Sequence, residues 1–147
     1  MGVGAPEDVV ECVARGIDIF DCAMPTRVAR NGALYTRTGR IDIENAVHKE
    51  QEDPIEVTCN CYTCRNFSAA YLHHLFRSKE LLAYRLATIH NLAFMSSLVQ
   101  SIRTSILDST FDAFRKQFLS QYKTTDEQTR VSQKQKWLET RQKDTLD

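Results

Sequence analysis

The chain has 147 residues, 42% of them hydrophobic and 26% charged, which is ordinary for one globular domain or a piece of one. Lysine plus arginine equals aspartate plus glutamate at 19 each, so no overall basic field points to nucleic acid, and any such contact has to come from a local patch. No apolar run approaches the ~20 residues needed to cross a bilayer, and no leader-like apolar segment opens the chain, which therefore reads as cytoplasmic.

Pro6 suits a first helical turn, with Glu7 and Asp8 complementing the positive end of the helix dipole. Val9, Val10, Cys12 and Val13 supply a buried face, and Gly16 is a stop signal. Residues 17–21 are mostly apolar and predict a short buried strand. Helix followed by strand is the rhythm of an α/β fold with a parallel sheet, and one or two parallel strands cannot stand alone, so the pattern reads as the end of a larger protein. From Cys22 to Asn31 the sequence reads as a loop carrying Pro25, Thr26, Arg27 and Arg30. Residues 33–36 and 40–43 form two β-prone runs, joined by Arg37, Thr38 and Gly39 into a hairpin.

After a charged stretch at 45–56 the chain turns helical. Ser68 is a candidate N-cap for Ala69 to Arg77. A long helix is predicted from about 80 to 108, with Leu82, Leu86, Ile89, Leu92, Met95, Val99, Ile102 and Ile106 as its core stripe. Ser109 would cap a last helix bearing Phe111, Phe114, Phe118 and Tyr122. Residues 123–147 are rich in Gln, Thr, Lys and Glu, with Trp137 as the only large apolar anchor, and read as a disordered or weakly helical tail. The chain thus divides into residues 1–58, 59–122 and 123–147, with no internal repeats.

Cys59, Cys61 and Cys64 form a tight cluster, and His90 follows inside an apolar helical run. Five cysteines is an odd count, and in a reducing compartment clustered thiols serve metals more often than disulfides. Short spacings let one turn aim several sulfurs at a single point, and three thiolates with one imidazole close a tetrahedral zinc site. With four protein ligands the metal has no open position for substrate, so the site is structural. Spacing alone leaves the fourth ligand open between His90 and its competitors His48, His73 and His74. His73 and His74 are adjacent and face different sides of a helix, so at most one of those two could reach.

The run GIDIFDCAMPTR from Gly16 to Arg27, then Arg30, Asn31 and Gly32, then the cysteine cluster and Thr88, Ile89, His90 and Asn91, together resemble the tRNA-guanine transglycosylase family, most of all its bacterial, queuosine-pathway branch. The resemblance covers about residues 1 to 122. It implies that residues 1–58 hold the last one or two strands of a (β/α)8 barrel with an RNA-contacting loop and hairpin, and residues 59–122 a helical zinc-binding subdomain and final helix. His90 falls where the family's fourth zinc ligand is expected, giving one structural zinc ion per chain.

Such enzymes exchange guanine at the anticodon wobble position for queuine or its precursor through a covalent enzyme–RNA intermediate. On that pattern Asp21 is the nucleophile, and a carboxylate at the C-terminal end of a barrel strand suits it. Thr26, Arg27, Arg30 and Asn31 would grip the U-G-U of tRNA with a G-U-N anticodon, and Met1 and Gly2 would lie at the bound base. The resemblance also implies a homodimer near the zinc subdomain. The family's base-recognition aspartates, its general acid/base and its first strands lie upstream of residue 1, so the isolated chain is expected not to turn over tRNA unless a complementing N-terminal barrel portion is supplied. A non-catalytic zinc-binding accessory, or a tRNA- or partner-binding module, is the alternative reading.

Overall fold

A computed structural model describes residues 2–124. The first helix, α1 (Pro6–Val13), starts on Pro6 with Glu7 and Asp8 in its first turn, and buries Val9 and Val10. Residues 17–21 form no strand: they run as irregular chain, with Ile17 44% and Ile19 88% exposed. A parallel strand needs a neighbour to take its backbone hydrogen bonds. Here the Gly2 amide, which donates to the Asp21 carbonyl at 2.8 Å, is such a neighbour for one peptide group.

The expected loop at 22–31 is instead a short helix, α2 (Met24–Arg30). Pro25 sits in its first turn, where the missing N–H costs nothing, so the proline starts the helix rather than breaking it. Pro25 and Ala29, four apart, are its buried residues, while Arg27 and Arg30 lie in the last turn, where the dipole favours cations.

The hairpin forms as predicted but one residue early on its second arm: β1 (Ala33–Thr36) pairs antiparallel with β2 (Gly39–Asp42), Thr36 opposite Gly39. It is the only sheet among the described residues. Gly39 has φ +136°, and a Cβ there would lie 2.6 Å from the Lys123 carbonyl oxygen. The Lys123 amide donates to the Thr38 carbonyl at 3.0 Å, so the chain beyond the last helix is laid against this turn.

The rest is helical: α3 (Tyr62–Asn66), α4 (Ala69–Arg77), α5 (Leu81–Leu107) and α6 (Phe111–Gln121). Ser68 caps α4 as expected, its side chain accepting from the Tyr71 amide. Ser109 does not cap α6; it takes φ +56° in the turn that reverses the chain, and Thr110 precedes the helix without a side-chain cap bond. The stripe expected on α5 is half right. Leu86 and Ile102 are buried, Ile89 and Met95 partly so, but Leu82, Leu92, Val99 and Ile106 are exposed. The buried face carries Ala83, Ala87, His90, Asn91, Leu98 and Ser105 instead, because α2 and the hairpin lie against it and small side chains let them approach.

Two apolar clusters hold these elements. One joins Ala29 of α2, Leu34 and Ile43 of the hairpin region, Ile55, Leu72, Leu75 and Phe76 to the first turns of α5 at Ala83, Leu86 and Ala87. The other packs Val9 and Val10 against Leu98 and Ile102, flanked by half-buried Phe111, Phe114 and Phe118. The tail expected from residue 123 onward, with Trp137, lies outside the described residues apart from Lys123 and Thr124. The expected barrel strands are not formed among the described residues, which are mostly helical.

Candidate metal centre

Cys61 ends an extended segment and caps α3, its sulfur accepting from the Cys64 amide at 3.4 Å. That cap turns Cys64 back beside Cys61, while the residues before the helix bring Cys59 to the same point. His90, wholly buried on α5, completes the group. Its Nδ1 is 3.9, 3.6 and 3.3 Å from the sulfurs of Cys59, Cys61 and Cys64, and all four donor atoms lie within 4.8 Å of one another. A tetrahedron with Zn–S of about 2.3 Å and Zn–N of about 2.0 Å has donor-to-donor edges of roughly 3.5–3.8 Å. The donor set and the spacing therefore fit one zinc ion.

The competing histidines lie outside this group of donors. His73 Nδ1 meets the Ile43 carbonyl at 2.8 Å, His48 Nδ1 meets Gln51 at 2.7 Å, and His74 is exposed. The other ring nitrogen of His90, Nε2, lies 2.7 Å from the Tyr35 carbonyl. A carbonyl can only accept, so Nε2 carries the hydrogen, and this bond orients the imidazole with Nδ1 towards the three sulfurs.

In the absence of metal the donors share hydrogen bonds that shift one another. The hydrogen bond with Cys64, aided by His90, draws the Cys61 thiol down to about 3, against the opposing effect of burial. Cys64, sharing that bond and buried, is pushed up. Burial disfavours the charged form of His90, but hydrogen bonds with Cys59 and Cys61 and with the Tyr35 carbonyl outweigh it, raising the imidazole to about 9. A divalent ion bound here would displace the protons that these thiols and the imidazole otherwise hold. With four protein donors the metal's role is to clamp the cysteine turn to α5.

The other predicted site residues lie apart from this cluster. Asp21 is exposed just before α2. Thr26 bonds back to the Ala23 carbonyl at 3.0 Å, Arg27 and Arg30 are exposed on α2, and Asn31 follows the helix on the surface. Gly2 is next to Asp21 through the bond already described, and Cβ atoms built on Gly4 would fall 2.5 Å from the Cys22 Cβ. Met1 lies outside the described residues. Sequence reasoning quoted Asn91 without assigning it a role, yet it is fully buried and makes three hydrogen bonds. The signal was there: an amide beside the metal-binding histidine, in an apolar stretch.

A short hairpin and a helical array gather a Cys3His donor set of the kind that holds a structural zinc ion. The model of the family described as Queuine tRNA-ribosyltransferase matches residues 1–124, and the chain belongs to that family. It is 64% identical over 138 residues to a protein named queuine tRNA-ribosyltransferase from Dehalococcoides mccartyi (strain ATCC BAA-2100 / JCM 16839 / KCTC 5957 / BAV1), covering 94% of this chain and 35% of that relative. Relatives of the same name from Dictyoglomus turgidum and Helicobacter acinonychis are 50% and 52% identical over 93% and 87% of the chain. The chain thus spans about a third of the curated relatives it matches. No helix among the described residues is long and apolar enough to cross a membrane.

Proposed function

We propose that this chain is the C-terminal portion of a cytoplasmic transglycosylase that exchanges guanine at the wobble position of G-U-N tRNA for queuine or its precursor. In this reading residues 1–58 end a (β/α)8 barrel and residues 59–122 are its zinc subdomain. Asp21 attacks the ribose anomeric carbon, guanine leaves, and the resulting aspartyl–RNA ester is resolved by the incoming base. Splitting base exchange into two displacements by a carboxylate lowers each barrier, as it does in retaining glycoside hydrolysis. Thr26, Arg27, Arg30 and Asn31 hold the anticodon loop, where planar guanidinium groups suit unstacked bases, and Met1 and Gly2 lie at the base.

The observation that carries the reading is the side-by-side run of two segments. The Gly2 amide bonds the Asp21 carbonyl, and Gly4 abuts Cys22, so the residues assigned to base and nucleophile adjoin while α2 presents its arginines a turn away. The chain spans about a third of the relatives it matches, so turnover is tested with the remaining portion of a relative present: a nucleophile without an acid/base partner forgoes a factor of ~10²–10⁴. Its partners are then tRNA, the N-terminal barrel portion and a second copy of itself.

The test is native mass spectrometry of the chain with G-U-N tRNA, with and without the N-terminal two-thirds of the Dehalococcoides relative. A covalent RNA adduct that needs the added portion and vanishes in Asp21→Asn supports the reading. One zinc per chain but no adduct in either condition leaves a zinc-binding accessory module, the second reading, and ends the first.

A further inference from the structure

Helix α5 presents two successive buried polar residues to the hairpin, and they divide one residue between them. His90 Nε2 donates to the Tyr35 carbonyl at 2.7 Å, and Asn91 Oδ1 accepts from the Tyr35 amide at 3.0 Å. The Asn91 Nδ2 then spends its two hydrogens on the Pro25 carbonyl at 3.1 Å and the Ala33 carbonyl at 3.0 Å. Two carbonyl partners and one N–H fix which end of the amide points where. Asn91 is 0% exposed, so each of these bonds forms without competition from water.

We propose that Asn91 is a positioning residue that locks α2, through Pro25 in its first turn, and β1, through Ala33 and Tyr35, to the helix that carries the zinc ligand. The metal, the hairpin and α2 then share one rigid frame. Pro25 lies four residues beyond Asp21 and two before Arg27, so the frame sets where both stand relative to the zinc loop. Nothing but an amide meets the demand. Aspartate keeps the acceptor for Tyr35 but sets a negative charge against two carbonyls, and leucine leaves an N–H and two carbonyls unpaired in a dry interior. The consequence for RNA rests on the function proposed above, whereas the mechanical link does not.

Hydrogen exchange by mass spectrometry on the zinc-loaded chain decides the matter. In Asn91→Asp, with one zinc per chain and an unchanged absorption spectrum of the cobalt-substituted protein, amides of residues 24–30 and 33–36 should exchange about tenfold faster or more, as expected from losing two buried bonds. Asn91→Ser, which puts one hydroxyl in place of the amide and leaves room for water, should show a smaller change of the same pattern and serves if the aspartate variant does not fold. Leu98→Ala, in the other apolar cluster of the same helix, is the control for general destabilisation.

Unchanged exchange over α2 in the folded Asn91 variants, or equal acceleration in Leu98→Ala, overturns the proposal. A second arm measures the anisotropy of a labelled G-U-N anticodon stem–loop with the N-terminal portion present. There Asn91→Asp should weaken binding about tenfold with zinc content intact. If the parent binds no RNA the proposed function fails, while the exchange data still rule on Asn91.

Discussion

The two apolar regions of this molecule are built on different plans. Around the cysteine cluster, Leu34, Ile43, Leu72, Ala83, Leu86 and Ala87 are almost wholly buried, and the backbone groups of Tyr35 are held by His90 and Asn91. At the other end, Val9, Val10, Leu98 and Ile102 are the buried residues, while the phenylalanines of α6 are partly buried and Val99, Ile106 and Leu107 are exposed on α5. The first region closes on itself with a metal as its cross-link; the second is covered on one side. Helix α5 runs through both. Where α2 and the hairpin approach closely, α5 presents small and polar residues; where α1 lies against it, it presents Leu98 and Ile102.

That contrast can be broken most severely at the metal. Removing zinc with a chelator should abolish exchange protection over residues 55–77 before it touches α6, since structural zinc contributes on the order of 10 kcal/mol of apparent binding energy. Loss of α6 protection first would reverse the comparison. Cys61→Ala should act like the chelator, and a variant that kept its fold and its zinc would remove Cys61 from the ligand set. Acid should release the metal as well, because protons compete for the same sulfurs and imidazole.

Next in size, Leu72→Ala should cost about 2–5 kcal/mol, while Phe114→Ala, at a residue only partly buried, should cost less, as read from denaturant midpoints. Equal costs would mean that the second cluster is as tightly built as the first.

A smaller effect sits between the two regions, where Tyr35 and Tyr122 flank Phe94. The Tyr35 hydroxyl is buried without a hydrogen-bond partner among the described residues, and burial raises its phenol to about 12. The folded chain holds that proton more tightly than the unfolded one, whose phenol titrates near 10. Its contribution is therefore complete below about pH 10 and is lost as pH rises through 12. Tyr35→Phe should leave neutral-pH stability unchanged or slightly higher and flatten the alkaline loss seen in urea melts; a clear destabilisation at pH 7 would reveal a partner for the hydroxyl.

Smallest of all is the link from α1 to α6, where Glu11 meets Arg115 at 2.8 Å and Arg15 at 2.7 Å. Glu11 and Arg115 are surface groups, so Glu11→Gln should shift the melting temperature barely, and less still at high salt.

How much of this was readable in the sequence follows from the range of each interaction. The three cysteines sit within one turn, and the hairpin is announced by residues at its own bend, so both were legible. The identity of the fourth ligand needed tertiary information: it is His90, and not His48, His73 or His74, whose ring nitrogen converges with the three sulfurs. The family resemblance supplied His90 before the geometry did. Residues 17–21 look like a strand because Ile17, Ile19 and Phe20 are β-prone, but a strand exists only where another chain segment completes its ladder. Helix α2 was not legible because a proline suits a loop and a first helical turn alike. The α5 stripe misled because periodicity finds the greasiest face, and this helix buries alanines, a histidine and an asparagine instead.

The near-collision at Gly4 gives the molecule a spacer made of nothing. A single methyl there would push against Cys22 and pry the Gly2 segment from the one bearing Asp21, without altering any charge, ligand or hydrogen-bonding group. Gly4→Ala is thus a purely geometric wedge, and what it disturbs reports how finely the gap between those two strands of chain has been set.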